Sequence, residues 1–275
     1  MTYDDALSLI GDAVDPGVLT DAGIDHLSYS NLRLLDECSN KWQIKYIQNA
    51  LEFKRSYPMA VGSGVHRAIE YYHLSHSPES AYEAGVAKFK AELGHYTEVK
   101  LQEAQTAIQR MLNCYQDKYE QKVVATEREY EFDLAHDLSL QVVIDVVEEG
   151  KVADIKSIAR KREEFTPDEL QLFFGLLACH VEGNTLEGAE VRPLRRDVTG
   201  QRTPIALEPF VITATPDWIQ KQAVETVRRI SDAQARVKAE LWDGPDYDRK
   251  WMCARCEAFE ICDVVKQPQF VGSQL

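Results

Sequence analysis

Residues 141–157 read QVVIDVVEEGKVADIKS and contain two apolar runs separated by a charged turn. The two runs are Val142–Val147 and Val152–Ile155. Both are rich in β-branched residues, and Gly150 lies in the turn between them, a pattern typical of a tight β-hairpin. The stretch therefore predicts two short antiparallel strands, which the rest of the chain serves to support.

This hairpin carries two carboxylates and one ammonium group. Residues two apart in a strand share a face, so Asp154 and Lys156 point the same way at what we expect to be a strand edge. The hairpin can bring Asp145 to the same place. Carboxylate oxygens suit Mg²⁺ or Mn²⁺, and a neighbouring lysine can orient a water molecule. The alternative is a solvated ion pair, which is the usual role of an Asp–Lys pair on a strand edge.

The composition indicates a globular protein. The chain has 275 residues, of which 44% are hydrophobic, enough for a proper core. It contains no run of about eighteen apolar residues and no basic-then-apolar N-terminal pattern, so we predict neither a membrane helix nor a secretory signal. We expect a cytoplasmic protein, whose six cysteines would then not form a disulfide framework.

The net charge of −14 argues against a protein that coats nucleic acid non-specifically. It leaves room for a local basic groove beside the hairpin. The candidate DNA-binding residues are Arg160, Lys161, Arg162, Arg195 and Arg196. Arg192 and Arg202 belong to the second of these basic stretches, and both stretches can equally be solvated faces.

Caps and apolar periodicity predict several further elements. Helices are predicted after Ser28–Ser30, over Met59–Tyr72, from Ser77–Pro78, over 100–122, from the capping box Thr166–Glu169 to Cys179, and from Thr215 to about Leu241. Strands are predicted at Glu127–Leu134, Val191–Val198 and Pro204–Thr213. Residues 1–25 contain six aspartates and no other charged residue, which favours a loosely ordered lead-in with one short helix.

The helix over Met59–Tyr72 contains a histidine with a functional alternative. His66 and Glu70 are four residues apart and therefore share a helix face. Gly62 and Gly64 allow a close backbone approach or a helix start. A single histidine on a helix is more often an ordinary surface or core residue than a metal ligand, so both readings stay open.

Three cysteines close together near the C-terminus indicate a metal site. Cys253, Cys256 and Cys262 have the spacing C-x2-C-x5-C, which needs a fourth ligand, and Cys38 is the natural candidate. Four thiolates suit zinc or an iron–sulfur cluster, and the spacing hardly separates the two. The two remaining cysteines are expected to be small buried hydrophobes. They are Cys114 and Cys179.

Taken in order, these motifs resemble the RecB-type branch of the PD-(D/E)xK nuclease superfamily. More narrowly, they resemble the small iron–sulfur exonucleases that include CRISPR-associated single-strand exonucleases and their phage relatives. The resemblance covers residues 28–263. The matching residues are Ser28, Ser30, Cys38, Gly62, His66, Glu70, Asp145, Asp154, Lys156, Gln171, Cys253, Cys256 and Cys262. The chain departs from the family at Val142, where glycine is usual, and at Gly175, where tyrosine is common.

The resemblance implies a role for each matching residue. His66, Asp145, Asp154 and the backbone carbonyl of Ile155 would bind Mg²⁺ or Mn²⁺. Lys156 would position the attacking water, Gln171 would orient the active-site strand or the DNA, and Glu70 would hold His66. The four cysteines would hold a 4Fe–4S cluster that joins the two ends of the chain. They are Cys38, Cys253, Cys256 and Cys262.

The implied fold is α/β, a restriction-endonuclease-like mixed sheet flanked by helices, with an N-terminal helical part. We predict a lead-in at 1–27, a helical part at 28–125, a nuclease core at 126–240 and a cysteine-rich segment at 241–275. The implied function is exonuclease cleavage of DNA from single-strand ends, in phage recombination or replication or in acquisition of CRISPR spacers. The alternatives are a non-catalytic DNA- or partner-binding module on a nuclease fold, and a zinc-stapled binding protein.

Overall fold

The computed structural model describes residues 1–51, 55–119, 122–158, 168–195, 207–245, 253, 256–259 and 261–262. The helices in this part are α1 (Tyr3–Asp12), α2 (Tyr29–Glu37), α3 (Ser39–Tyr46), α4 (Tyr57–Ser75), α5 (Pro78–Leu93), α6 (Glu98–Lys118), α7 (Glu169–Val181) and α8 (Pro216–Ala239). The strands are β1 (His26–Leu27), β2 (Val123–Ala135), β3 (Leu138–Glu148), β4 (Lys151–Ile158), β5 (Gly188–Arg195) and β6 (Phe210–Thr213). None of the described helices is long and apolar enough to cross a membrane.

The described strands form one six-stranded mixed sheet in the order β1-β3-β4-β5-β6, with β2 paired to β3. Strand β4 runs antiparallel to β3 and parallel to β5, while β6 runs antiparallel to β5. Helix α7 packs on β4 and β5, and α6 packs on β5. The predicted α/β fold, a mixed sheet flanked by helices, is therefore confirmed.

The hairpin between β3 and β4 has the predicted form. Val146 pairs with Ala153 and Val147 with Val152, and the chain reverses through a two-residue turn. Gly150 in this turn has φ of +87°, a conformation that glycine adopts without steric cost. The expectation of a strand edge is wrong, however, because β5 pairs with the other side of β4 and makes β4 an interior strand.

The chain divides into two compact units. The first comprises the described residues of Met1–Lys54, Tyr130–Val142 and Pro216–Leu275. In this unit α1 packs on α8, and α2 packs on α3 and α8. Ala6, Ile10 and Leu19 are buried, so the acidic N-terminal residues contribute to a core although their composition favours loose order.

The second unit comprises the described residues of Arg55–Glu129 and Val143–Thr215. Helices α4, α5 and α6 pack together, and their apolar faces share one core with β3, β4 and β5. Gly64 of α4 and Gly85 of α5 let two helix backbones approach closely. A Cβ atom built on Gly85 would lie 2.5 Å from the carbonyl oxygen of Gly64. The close backbone approach predicted for Gly62 or Gly64 is thus found at Gly64.

Arg192 in β5 is buried, so the alternative of a solvated face is wrong for this residue of the second basic stretch. Its side chain is fully buried, and its Nη2 atom donates to both carboxylate oxygens of Glu148 at 2.7 Å. Glu190 also pairs with Arg192, and the ring of Tyr119 lies 4.6 Å from the guanidinium carbon. A buried charge is tolerated when partners of opposite charge surround it, and here two carboxylates do so.

Candidate metal centre

The sheet and helix α4 bring the predicted acidic and basic residues together. Continuing the β3–β4 register from Val146 and Ala153 places Asp145 opposite Asp154. The backbone N–H of Ile155 donates to Asp145 Oδ2 at 2.6 Å, which fixes that carboxylate against the neighbouring strand. The hairpin thus holds two carboxylates side by side, as the sequence predicts.

His66 reaches this pair of carboxylates from helix α4. Its Nδ1 atom lies 3.3 Å from Asp145 Oδ1 and 3.1 Å from Glu127 Oε1. Among the His, Cys, Asp and Glu side chains of the described residues, one group of three has its possible ligand atoms within 4.8 Å of one another. This group consists of His66, Glu127 and Asp145. Ligands about 2.1 Å from an octahedral ion lie about 3 Å apart, so these separations suit one shared cation.

The two carboxylate oxygens of Asp154 differ in their hydrogen bonding within the described structure. Lys156 Nζ donates to Asp154 Oδ1 at 2.8 Å and to Gln171 Oε1 at 2.9 Å. Asp154 Oδ2 is buried and has no hydrogen-bond partner in the described structure. An unsatisfied buried acceptor is costly, and a bound metal ion would satisfy it. The donor set of carboxylates and one imidazole therefore fits a divalent cation.

Burial and neighbouring charges shift the pKa values of Asp154, Asp145 and His66. Burial raises the pKa of Asp154 to about 6. Burial also acts to raise the pKa of Asp145, but His66, Lys156 and the backbone N–H of Ile155 together outweigh burial and lower that pKa. Burial opposes the charged form of His66, yet Asp145 and Glu127 together raise its pKa well above the usual range. Three carboxylates around one imidazole and one lysine leave a surplus of negative charge that attracts a cation.

Glu127 is the site residue that the sequence analysis missed. It lies among alternating acidic residues of β2, and nothing in that pattern separates it from its neighbours. Its φ is +45°, an uncommon conformation for a residue other than glycine and one that re-aims a strand side chain. Glu70, expected to hold His66, instead accepts a hydrogen bond from Arg67 at 2.7 Å.

Helix α7 supplies Gln171 and begins two residues later than the predicted start. Asp168 caps it, because its side chain accepts from the backbone N–H of Leu170. Thr166 and Pro167, which the capping box placed at the start, lie outside the described residues. A Cβ atom on Gly175 would make ordinary van der Waals contacts with Val152 and Ile144 at 3.5–3.6 Å, so this position faces the hairpin.

The four cysteines proposed as one site lie in the first unit. Cys38 caps α3, and its Sγ accepts from the backbone N–H of Lys41 at 3.4 Å. Burial raises the pKa of the Cys38 thiol, and the nearby thiols of Cys253, Cys256 and Cys262 raise it further. The Cys262 sulfur accepts a hydrogen bond from the Asn40 side chain at 3.0 Å. The other two cysteines belong to helices of the second unit. They are Cys114 in α6 and Cys179 in α7.

The predicted DNA-binding residues are mostly outside the described part of the chain. Those outside it are Arg160, Lys161, Arg162 and Arg196. Arg195 ends β5 and is half-buried. The basic groove predicted beside the hairpin therefore stays a prediction.

A model of the PD-(D/E)XK nuclease superfamily matches residues 26–263. Among solved structures, a protein from Eubacterium rectale named as a candidate exonuclease is similar over 93% of this chain and 96% of its own. The two chains share 16% identity at a TM-score of 0.56, which supports the fold alone. The protein SSO0001 covers 77% of this chain and 98% of its own at 13% identity, but its TM-score of 0.34 carries no argument. The sequence has no match among curated proteins.

Proposed function

Because the chain belongs to the PD-(D/E)XK nuclease superfamily, we propose that it is a divalent-metal-dependent exonuclease that hydrolyses DNA from single-strand ends. The observation that carries this proposal is the cluster of His66, Glu127 and Asp145, with Asp154 opposite Asp145 in the hairpin and hydrogen-bonded to Lys156. Carboxylates with a lysine beside them are what phosphodiester hydrolysis needs at neutral pH.

Each residue has a distinct task in this proposal. The imidazole of His66 and the carboxylates of Glu127, Asp145 and Asp154 hold Mg²⁺ or Mn²⁺, together with the carbonyl of Ile155. The ion, when bound, lowers the pKa of water and offsets charge on the phosphate. The Ile155 N–H keeps Asp145 from rotating, so one of its oxygens stays turned toward His66.

Lys156 acts on the attacking water. An ammonium group has three N–H donors, and the described hydrogen bonds to Asp154 and Gln171 use two of them. Those two acceptors fix the direction of the third donor, which orients the water and stabilises charge that develops on the phosphate oxygens. Gln171 is therefore a positioning residue that acts through Lys156.

The proposed preferences for single strands and for ends rest on likeness to other nucleases. The similar protein from Eubacterium rectale is named as a candidate exonuclease, and the motifs resemble single-strand exonucleases. A role in phage recombination or in acquisition of CRISPR spacers belongs to the same proposal and rests on the resemblance.

The test is cleavage of DNA labelled at either end, single- and double-stranded, with Mg²⁺, Mn²⁺ or EDTA. We expect linear single strands to be shortened from an end in the presence of metal, and Lys156→Ala to be inactive while still folded. Closed circular single strands should resist cleavage. Cutting of circles as fast as linear strands would overturn the exonuclease assignment, and an inactive parent protein would overturn the nuclease assignment.

We further propose that Cys38, Cys253, Cys256 and Cys262 hold a 4Fe–4S cluster that links early and late segments of the first unit. The thiols of Cys253, Cys256 and Cys262 lie near enough to Cys38 to raise its pKa, which supports a shared site. Iron and zinc analysis of anaerobically purified protein, with absorption at about 400 nm, distinguishes the cluster from a structural zinc ion. One zinc ion per chain without iron would overturn this assignment.

A further inference from the structure

A cleft with a volume of about 520 Å³ adjoins His66 in the second unit. Its walls come from α4, α5 and β2, and from Arg55 just before α4. His66 and Glu127 line it, so the cleft opens directly onto the candidate metal centre. A substrate bound at the metal would therefore extend into this cleft.

Part of the cleft lining consists of two cations beside one buried carboxylate. Glu92 lies 3.1 Å from Lys88 Nζ and 3.4 Å from Arg55 Nε, and its side chain is only 10% exposed. Arg55 and Lys88 are 39% and 46% exposed. The carboxylate thus pairs with both cations, and these three groups together have a net charge of +1.

The spacing of residues along α4 and α5 places the groups that hold Arg55 and Lys88 on the helix faces that line the cleft. Ser63 and His66 are three residues apart on α4, so they share a face, and Ser63 Oγ accepts from Arg55 Nη1 at 2.9 Å. Lys88 and Glu92 are four residues apart on α5 and share a face in the same way. The guanidinium and the ammonium are therefore held in fixed positions along the cleft.

The cleft therefore combines an acidic wall on β2, which carries Glu127 and Glu129, with the net positive group of Arg55, Lys88 and Glu92. Arg67 and Glu70 also line the cleft and pair with each other at 2.7 Å. A small anion would satisfy only the positive group, and a cation only the acidic wall. A phosphodiester chain suits both, because one phosphate can meet the metal while the next meets Arg55 and Lys88. The volume lies in the range of small-ligand pockets and suits about one or two nucleotides of a single strand, not a duplex.

We propose that Arg55 and Lys88 bind the phosphate next to the cleaved bond of a single nucleic-acid strand, and that the opposing charge of Glu92 limits how tightly they bind it. This inference rests on the proposed nuclease function. It adds a substrate-binding surface on α4 and α5, separate from the predicted basic groove beside the hairpin.

Binding of a fluorescent single-stranded oligonucleotide to metal-free protein in EDTA tests the inference without cleavage. The double variant Arg55→Gln/Lys88→Gln should raise the Kd about tenfold and lower the slope of log K against log salt by about 1.4. The matched control is Lys90→Gln/Lys122→Gln, which removes two exposed charges of the same unit outside the cleft. It should bind like the parent protein.

Three further measurements test the assigned phosphate contact. Glu92→Gln removes the opposing charge and should tighten binding, whereas a purely structural ion pair would lower the melting temperature and leave the Kd unchanged. DNA and RNA strands of one sequence should lose affinity alike in the double variant, because they share the phosphodiester. Mn²⁺ affinity should stay at the parental value.

The outcome also separates this inference from the nuclease assignment. A double variant that binds strands as well as the control does, in a protein that cleaves DNA with metal, would overturn the cleft inference alone. A parent protein that never cleaves, but loses strand binding in the double variant, would overturn the nuclease assignment and leave the cleft as a nucleic-acid site.

Discussion

At the scale of single residues, the centre is built from groups that are costly to bury without a cation. Asp154 is 6% exposed and keeps one oxygen without a hydrogen-bond partner in the described structure. Asp145 and Glu127 share a single imidazole. Such sites lower the stability of a protein and are retained for function. Removing one charge should therefore stabilise the metal-free fold while it destroys activity.

Asp154→Asn tests this trade-off. The pKa of Asp154 is about 6 in the folded protein against an ordinary value of 3.8, so the folded state binds more protons between those values. The stability of the metal-free parent should thus fall as pH rises from about 4 to 6 and stay low above it. In EDTA at pH 8 the variant should gain about 1–3 kcal/mol in urea unfolding, with no gain at pH 4. An equal effect at both pH values would contradict the buried-charge argument.

Glu127→Gln tests the residue that β2 contributes to the centre. The amide retains an oxygen that can accept a hydrogen bond from His66, so a loss of Mn²⁺ binding reports the lost charge. We expect the Kd for Mn²⁺ in isothermal titration to rise about tenfold. Asp133→Asn removes an exposed carboxylate from the same strand and serves as the control. Equal Mn²⁺ affinity in both variants would exclude Glu127 from the centre.

At the scale of elements, tight packing of α4 against α5 fixes where His66 stands. A Cβ on Gly85 would meet the Gly64 carbonyl oxygen at 2.5 Å and Ala68 Cβ at 2.8 Å. Both atoms belong to α4, the helix that carries His66. The position of His66 therefore depends on Gly64, two residues before it in α4, and on Gly85 of the neighbouring helix α5.

Gly85→Ala should force α4 and α5 apart and cost about 1–3 kcal/mol in urea unfolding, with a loss of cleavage as His66 moves. Gly62→Ala is the matched control in α4, since a Cβ there meets nothing within 4 Å. It should be neutral or gain about 0.5–1 kcal/mol from helix propensity. Destabilisation of equal size in both variants would show that the close approach is unimportant.

The sequence predicts those parts of the molecule that local rules control. Apolar runs around Gly150 predict the hairpin, and Ser77–Pro78 predicts the start of α5. Tertiary context decides the rest. The pairing of β5 with β4 buries Asp154, and ion pairs with two carboxylates allow Arg192 to be buried. The left-handed backbone conformation of Glu127 in β2 directs its side chain toward His66. None of these follows from the spacing of apolar residues.

At the scale of the whole molecule, the proposed cluster closes a very long loop. Cys38 and Cys253 are more than two hundred residues apart, and closing such a loop costs about 5 kcal/mol of chain entropy. The site and the first unit should therefore form together. No flavin or nicotinamide fingerprint is present in the sequence, which favours a structural role for the cluster over electron transfer.

Cys256→Ala and Lys156→Ala should behave as opposites. The cysteine variant should lose its iron and its absorption at about 400 nm, and its melting temperature should fall by several degrees. The lysine variant should keep all three properties and lose only cleavage. Iron content, absorption and melting temperature measured on both proteins check this. A Cys256→Ala protein of parental stability and activity would contradict the structural role.

The central claim is that one divalent ion binds among His66, Glu127, Asp145 and Asp154 and drives phosphodiester hydrolysis. Anomalous diffraction from a crystal grown with Mn²⁺ locates that ion directly. We expect an anomalous peak about 2.1 Å from carboxylate oxygens of Asp145 and Asp154, with His66 and Glu127 also in its coordination shell. A manganese peak bound elsewhere, with Asp154 Oδ2 still lacking a partner at saturating Mn²⁺, would contradict it.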